Sequence, residues 1–371
     1  MAPRGAYPKE LGFPYCSAMS AGRRSPARLV ERVERLCREI ADERPLRIAL
    51  VEELRRSVGF DWYAWLLTDA ETEVGGSPLA DTPSLPDLPR LIRFKYLTAL
   101  NRWTSLDATA VTLRAATGGV LARSLLWRDV LSGYRVVDVA SLVFRDAHGC
   151  WGWLDAWRTA PAEPFDDGEL AALAAVVGPV TAALRHAQAR TFGASVPSPP
   201  RAGPAVLVLS PELRVKAQTR ETEEYLRALV PPARDRRPIP AGAYNVGAQL
   251  LAVEAGVDEH VPLTRVHLDR GLWVTLRAAR VEADGPPVER DIAVTIEATS
   301  PAERRTLFAR SHALSARERE LVDLLAHGAD THTIAQQMFL SEHTVQDHLK
   351  SIFSKTGAAN RRILLSRLVG G

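Results

Sequence analysis

The apolar positions of the chain change period along its length, and those changes divide it into blocks. Leu29, Val33, Leu36 and Ile40 recur at helical spacing with Glu and Arg between them, which predicts a surface helix. Ser25-Pro26 marks its start, with serine as N-cap and proline at the first helical position. A second helix is predicted from Pro45 to Val58. DWYAWLLTD is strand-like by its aromatic and apolar content. RVVDVASLVFRDAHGCWGWLDAWR reads as a hairpin turning at Asp146 to Gly149. PFDDGELAALAAVVGPVTAALRHAQARTF predicts a long helix. Asp166 is its cap, Glu169 completes a capping box, and Phe165 is placed to staple against Leu170.

The stretch GASVPSPPRAGP is rich in Pro, Ser and Gly and is the clearest linker. Beyond it AVLVLSPELRVKAQT reads as strand, Ser-Pro turn, strand. ETEEYLRALV and AYNVGAQLLAVEAG read as helices, and TRVHLDRGLWVTLRAARV and RDIAVTIEAT as strands with period-two patterning. Short strands, two helices and more strands describe a small α+β domain with an antiparallel sheet. A helix from Pro301 to Arg310 leads into the last block, and no internal repeat is visible in the sequence.

From Leu314 the signals agree closely. Ser315 with Glu318 makes a capping box, followed by an apolar stripe of Leu321, Val322, Leu324 and Leu325; Gly328 ends that helix in a left-handed turn. Asp330 caps a short helix carrying Ile334, Ala335 and Met338. Phe339-Leu340 is the turn, and Ser341 caps a third helix whose Val345, Leu349 and Ile352 face inward. Asn360 caps a fourth. This is the layout of a helix-turn-helix unit.

Composition bounds the function classes. A chain of 371 residues with 46% hydrophobic and 25% charged residues is ordinary for a globular protein of several domains. The net charge of +3 does not by itself announce a nucleic-acid binder. Three widely spaced cysteines without a CxxC pair argue against a disulfide framework or zinc site and fit a reducing cytoplasm. We expect no signal peptide, no apolar run of about 18 residues and no membrane partner. There is no GxxxxGK[ST], GxSxG, HExxH or Cys-His zinc spacing, so the expectation is no enzyme and no metal. The acids Asp166 and Asp167 are explained by helix capping.

The segment LSARERELVDLLAHGADTHTIAQQMFLSEHTVQDHLKSIFSKTGAANRR resembles the LuxR/NarL-type helix-turn-helix of bacterial transcription regulators. The resemblance covers about fifty residues. It runs through Leu314, Arg317, Glu318, Gly328, Ile334, Ala335, Ser341, Thr344, Val345, His348, Ile352, Lys355 and Arg361. It departs at Asp330 to Thr333, at Gln346, where the family often has lysine, and at Ile363, where an acid is common. The resemblance implies binding to double-stranded DNA, dimerisation through the fourth helix, and RNA polymerase as a further partner. The residues expected at DNA are His343, Thr344, Gln346, Asp347, Lys350, Lys355, Arg361 and Arg362. Gln346 and Asp347 suit base edges, whereas the later cations suit phosphates. Arg361 and Arg362 stand at a helix N-terminus, where the macrodipole disfavours a cation unless an anion is near.

Seven of the eight tryptophans lie in the first block. Strict alternation along WGWLDAW puts Trp151, Trp153, Asp155 and Trp157 on one face. With Trp62 they are a candidate ligand pocket, and plain core packing is the alternative. The first block resembles a GAF domain in layout and the second a PAS domain in element order. The second lacks a histidine on the helix at AYNVGAQLLAVEAG and any cysteine, so no haem, no flavin adduct and no other covalent cofactor is expected. The expected architecture is thus multidomain α+β. A flexible tail (1–24) precedes a GAF-like α/β sandwich (25–192), a linker (193–203) and a PAS-like antiparallel-sheet domain (204–300). A connector helix (301–313) and an all-α, four-helix helix-turn-helix domain (314–371) follow. The expected function is sequence-specific transcription regulation in the cytoplasm under control of a small ligand or of dimerisation. The alternative is a protein-interaction or anti-activator module whose helix-turn-helix only dimerises.

Overall fold

The computed structural model describes residues 26–193, 205–229, 238–269, 272–282 and 286–369. The expected tail, the Ser25 cap and all but the first residue of the expected linker lie outside them. The first block opens with α1 (Pro26–Glu39) and α2 (Glu43–Val58), then β1 (Trp62–Thr68) and β2 (Gly75–Asp81). After α3 (Leu88–Leu97) come β3 (Ala110–Thr112), α4 (Leu113–Ala116) and α5 (Leu125–Asp129). The long hairpin β4 (Val136–Asp146) and β5 (Gly149–Thr159) leads to α6 (Asp167–Arg190). The capping box at Asp166 and Glu169 is formed on both sides.

The second block holds β6 (Ala205–Leu209), β7 (Val215–Gln218), α7 (Arg220–Leu229), α8 (Ala241–Glu254), β8 (Leu263–Asp269), β9 (Leu272–Arg280) and β10 (Ile292–Ala298). Each block has one five-stranded antiparallel sheet, ordered β2-β1-β5-β4-β3 and β7-β6-β10-β9-β8. Counted within its own sheet, each order reads two-one-five-four-three. A topological repeat therefore exists where the sequence shows none, because strand order constrains period and turn chemistry but not residue identity.

The blocks are not beads on a linker. One face of the first sheet is covered by α1, α2 and α6 through Leu29, Val33, Leu50, Leu154, Ala156, Leu173 and Val177. The other face shares one apolar core with the second block, in which Leu66, Tyr96, Trp103 and Trp153 join Ala243, Leu251, Val274 and Val294. The helix α8 lies between the sheets and is buried on almost every side. Its run of Ala, Gly and uncharged residues permits this: a Cβ on Gly242 would stand 3.2 Å from Leu276 and 3.5 Å from the Gly76 carbonyl, on opposite sheets.

Buried polar groups fix the register between blocks. Arg265 on β8 donates to both Asp69 oxygens at 2.6 and 2.7 Å, and Thr264 Oγ1 donates to the Val74 carbonyl at 3.0 Å. Burial alone would raise the Asp69 carboxyl, but the Arg265 guanidinium and the backbone N–H groups of Glu71 and Thr72 hold it below its ordinary value. Arg102 Nε donates to Asp258 at 2.7 Å, and its Nη2 donates to Gln249 on α8 at 2.9 Å.

The connector α9 (Pro301–Ser311) leads to α10 (Ala316–Ala326), α11 (Thr331–Met338), α12 (Glu342–Thr356) and α13 (Arg361–Val369). The helix α6 alone among the described residues is long and apolar enough to cross a membrane by length and composition. Its uncharged stretch, Leu170 to Leu184, is bounded by Glu169 and Arg185, so it falls short of an uninterrupted apolar run of about 18 residues. Its Leu173, Val176, Val177, Val180 and Leu184 are buried in the core beneath the first sheet.

Candidate nucleic-acid interface and ligand cavity

Local chemistry builds the carboxy-terminal unit as its capping residues require. Ser315 Oγ accepts from Glu318 N at 3.2 Å, Asp330 Oδ1 from Thr333 N at 2.8 Å, Ser341 Oγ from Thr344 N at 3.1 Å, and Asn360 Oδ1 from Ile363 N at 2.9 Å. Leu321, Val322, Leu325, Ile334, Met338, Val345, Leu349, Ile352, Leu364 and Leu368 close the core. The turn before α12 is made by Phe339, left-handed at φ 55° and 94% exposed.

The face of α12 away from this core is open to solvent. His343, Gln346, Asp347, Lys350 and Ser354 are all exposed, and no described residue of the first two blocks covers them. Asp347 accepts from Lys350 at 2.9 Å and stands 3.6 Å from His343; the ammonium beside it holds its carboxyl below the ordinary value. Thr344 is half-buried, its hydroxyl 2.9 Å from Ser341 Oγ. The Gln346 side-chain amide donates to Thr331 Oγ1 at 3.5 Å.

Besides Lys350 on Asp347, two further expected phosphate contacts are engaged within the chain. Lys355 Nζ donates to Glu318 Oε2 at 2.6 Å, and Ser351 Oγ donates to Glu318 Oε1 at 2.7 Å. Burial works to raise the Glu318 carboxyl, but Lys355, the Ser315 N–H and Ser351 outweigh it and bring it from 4.5 down to about 2. Arg361 Nη2 donates to the Ala329 carbonyl, and its charge lies near Asp330. A backbone carbonyl, with the Asp330 charge in the neighbourhood, thus takes up part of the Arg361 guanidinium within the chain. Arg362 is exposed.

The fourth helix is also occupied. Leu364 and Leu368 are buried, Ile363 and Leu365 are partly buried, and Val369 is 47% exposed. Arg304 on α9 donates to the Arg367 carbonyl at 3.3 Å. Phe192, stacked on Trp273 with ring centroids 5.3 Å apart, joins the same core.

The tryptophan face is divided by a bulge. The β4–β5 register shifts between Phe144↔Gly152 and Arg145↔Cys150, leaving Trp151 as the extra residue. Trp151 is thereby turned to the face of Leu154 and Ala156, beneath the helices, and Cys150 to the face of Trp153. This corrects the strict alternation. Trp151 lines a smaller cavity of about 70 Å³ with Leu184, Gln188 and Trp273. Trp62 pairs with Trp157 across β1 and β5 and packs beside Leu91, Leu113 and Leu131 in a separate cluster. It is not among the residues that line the larger cavity.

That larger cavity, about 200 Å³, lies between the blocks. Trp153, Asp155 and Trp157 line it from β5, with Ala64 and Leu66 on β1 and Ile239, Ala241 and Asn245 from the second block. The sequence reading missed Leu88, Leu91, Ile92, Lys95 and Tyr96, which line it from one face of α3. The signal was present: a lysine at helical spacing on an otherwise apolar stripe. Lys95 Nζ stands 2.7 Å from Asp155 Oδ2 and donates to the Asn101 carbonyl at 2.9 Å; Ser141 Oγ donates to Asp155 Oδ1 at 2.7 Å. Lys95 also lies 5.0 Å from the Trp153 ring centroid. The Asp155 carboxylate is thus held by groups of the protein.

An exposed helix carrying hydrogen-bonding side chains, braced by a second helix across a short turn, defines a helix-turn-helix domain. Residues 312–367 match the family described as bacterial regulatory proteins, luxR family, and this part of the chain is a LuxR-family helix-turn-helix domain. The chain is 46% identical over 54 residues to the monoamine regulon transcriptional regulator of Klebsiella aerogenes, covering 15% of this chain and 24% of that protein. It is 40% identical over 48 residues to the spore germination protein GerE of Bacillus subtilis, covering 13% of this chain and 65% of that protein. The chain thus spans about a quarter of the first relative's length and just under two thirds of the second's.

Proposed function

We propose that this protein is a sequence-specific DNA-binding transcription regulator with GAF-like and PAS-like amino-terminal blocks that receive a small-molecule signal. The observation that carries the DNA-binding reading is the open face of α12 within a LuxR-family domain. Gln346 and Asp347 face outward where base edges would lie. Arg362 takes a phosphate contact first, since Lys350, Lys355 and Arg361 already have partners in the chain; of these the Lys350 pair with Asp347 is the exposed one and exchanges most readily for a phosphate. The working site is the cytoplasm, and the bound regulator acts on RNA polymerase.

Because the reading face is already exposed, we place control at α13 rather than at access to α12. In this arrangement the apolar side chains that the described part of α13 can offer a second copy are Ile363, Leu365 and Val369, so an extensive apolar contact through it requires α9 to loosen. Several ties hold α9, among them Arg265 to the Glu303 carbonyl, Arg310 to the His148 carbonyl at 2.9 Å, Gln188 to the Ser311 hydroxyl at 3.1 Å, and Arg304 to the Arg367 carbonyl. His148 sits at the tip of the β4–β5 hairpin, whose second strand lines the cavity. A signal needs only a differential affinity for the two arrangements to shift their populations.

Selection of duplexes from a randomised pool by the full chain tests the proposal. A recurrent motif bound at least about a thousandfold more tightly than bulk DNA is expected. Loss of selection on substituting Gln346 and Lys350 together would locate it on α12. A folded protein that enriches no motif would leave the interaction-module alternative.

A further inference from the structure

We infer that the cavity between the blocks binds a neutral, elongated, mainly apolar molecule carrying an N–H or O–H donor, and that Asn245 on α8 is the residue that receives that donor. The inference rests on the reading of the amino-terminal blocks as a sensory unit and adds the class of ligand and the wall that selects it. Asn245 is fully buried, and its Nδ2 donates to the Ala241 carbonyl at 2.9 Å. The opposite amide orientation would set two carbonyl oxygens against each other, so Oδ1 is the atom left over, and it has no partner among the described residues. A buried acceptor without a donor is costly, and a ligand donor removes that cost.

The rest of the lining fixes the class. The Nε1 atoms of Trp153 and Trp157 also lack partners among the described residues. Trp65 shares that state inside the first core, so the indoles alone define no site. They do set a length, because residues four apart on a strand are separated by roughly 13 Å. Between them Leu66, Leu91, Ile92 and Ile239 present only hydrocarbon. The two interior charges, Lys95 and Asp155, are 8% and 4% exposed and neutralise each other at 2.7 Å. An ionised ligand would meet no free counter-charge inside, and desolvating it there is unfavourable. Arg44, also on the lining, is exposed. Walls from both blocks mean that such a ligand stabilises their packing as a pair.

Two probes of the same aromatic body test the inference on the full chain without DNA. N-phenyl-1-naphthylamine is neutral with one N–H donor, and 1-anilinonaphthalene-8-sulfonate adds an anion. The neutral probe is expected to bind saturably at one per chain, at least about tenfold tighter than the anion, a difference of roughly 1.4 kcal/mol. Ala64→Trp, which fills the cavity from β1, should abolish binding. Asn245→Leu should weaken the neutral probe about tenfold but leave its N-methyl derivative, which has no donor, unchanged. Each variant is first checked for a cooperative thermal transition like that of the parent. Absence of saturable binding, equal binding of the anion, or indifference to Ala64→Trp or to Asn245→Leu would overturn the inference. None of these outcomes touches DNA binding, which is measured separately, so the two readings fail independently.

Discussion

Lys355 offers the sharpest separation between a residue that reads DNA and one that holds the reader in place. Its ammonium is the strongest partner of Glu318, a carboxylate 4% exposed that also accepts from the Ser315 N–H at 2.6 Å and from Ser351. The Glu318 carboxyl falls from 4.5 to about 2 on folding. That change corresponds to about 3 kcal/mol shared among three donors. Lys355 is 37% exposed, which screens its share, so Lys355→Met should cost about 2 kcal/mol at neutral pH. The sign follows from the depressed carboxyl. The stabilisation is complete above the unfolded value of 4.5 and disappears as pH falls toward 2, so the parent and Lys355→Met should converge there.

Denaturant unfolding across that pH range measures the loss. The double variant Glu318→Gln/Lys355→Met removes both charges and should recover to within about 1 kcal/mol of the parent. Anisotropy of a labelled duplex against salt then asks about DNA. A lysine lost from a phosphate lowers the slope of log K against log salt by about 0.9 per contact. Here the double variant should keep the parental slope. A reduced slope together with unchanged stability of Lys355→Met would refute the structural role and restore the phosphate contact.

Other substitutions probe separate links. Asp69→Asn strips the buried Arg265 of its main partner and should destabilise the chain by about 3 kcal/mol at pH 7 by thermal unfolding. Because the Asp69 carboxyl is held below its ordinary value, that penalty should fade as pH falls through the acid range. Phe339→Asn relieves a left-handed, fully solvated phenylalanine and should raise stability by about 0.5–1 kcal/mol; a loss would show that Phe339 packs on something. Gln346→Ala should change which duplexes a selection recovers, whereas Arg362→Ala should weaken all of them alike. The reverse pattern would exchange their roles.

The carboxy-terminal unit was legible because caps, apolar stripes and turn residues there are all local signals. The hairpin at Asp146 to Gly149 and the order of strands, two helices and further strands in the second block were legible for the same reason. What escaped depends on distance along the chain or on single-residue irregularities. The tie between Asp69 and Arg265 spans 196 positions, and no period announces it. The bulge at Trp151 inverts a face that strict alternation assigns, and only the partner strand reveals it. Lys355 and Arg361 look like phosphate ligands by type and place, yet Glu318 and the Ala329 carbonyl lie on elements folded back against them. Asn245 carries no motif; its meaning comes from being buried all round with one atom unsatisfied.

The central claim is that α12 of the intact chain reads DNA. The direct test is a salt titration of the full protein on a selected duplex and on a scrambled one of equal length. The account predicts steep, linear log–log weakening on both, with the selected duplex staying at least about a thousandfold tighter throughout. Equal affinity for the two duplexes, or binding indifferent to salt, would contradict it.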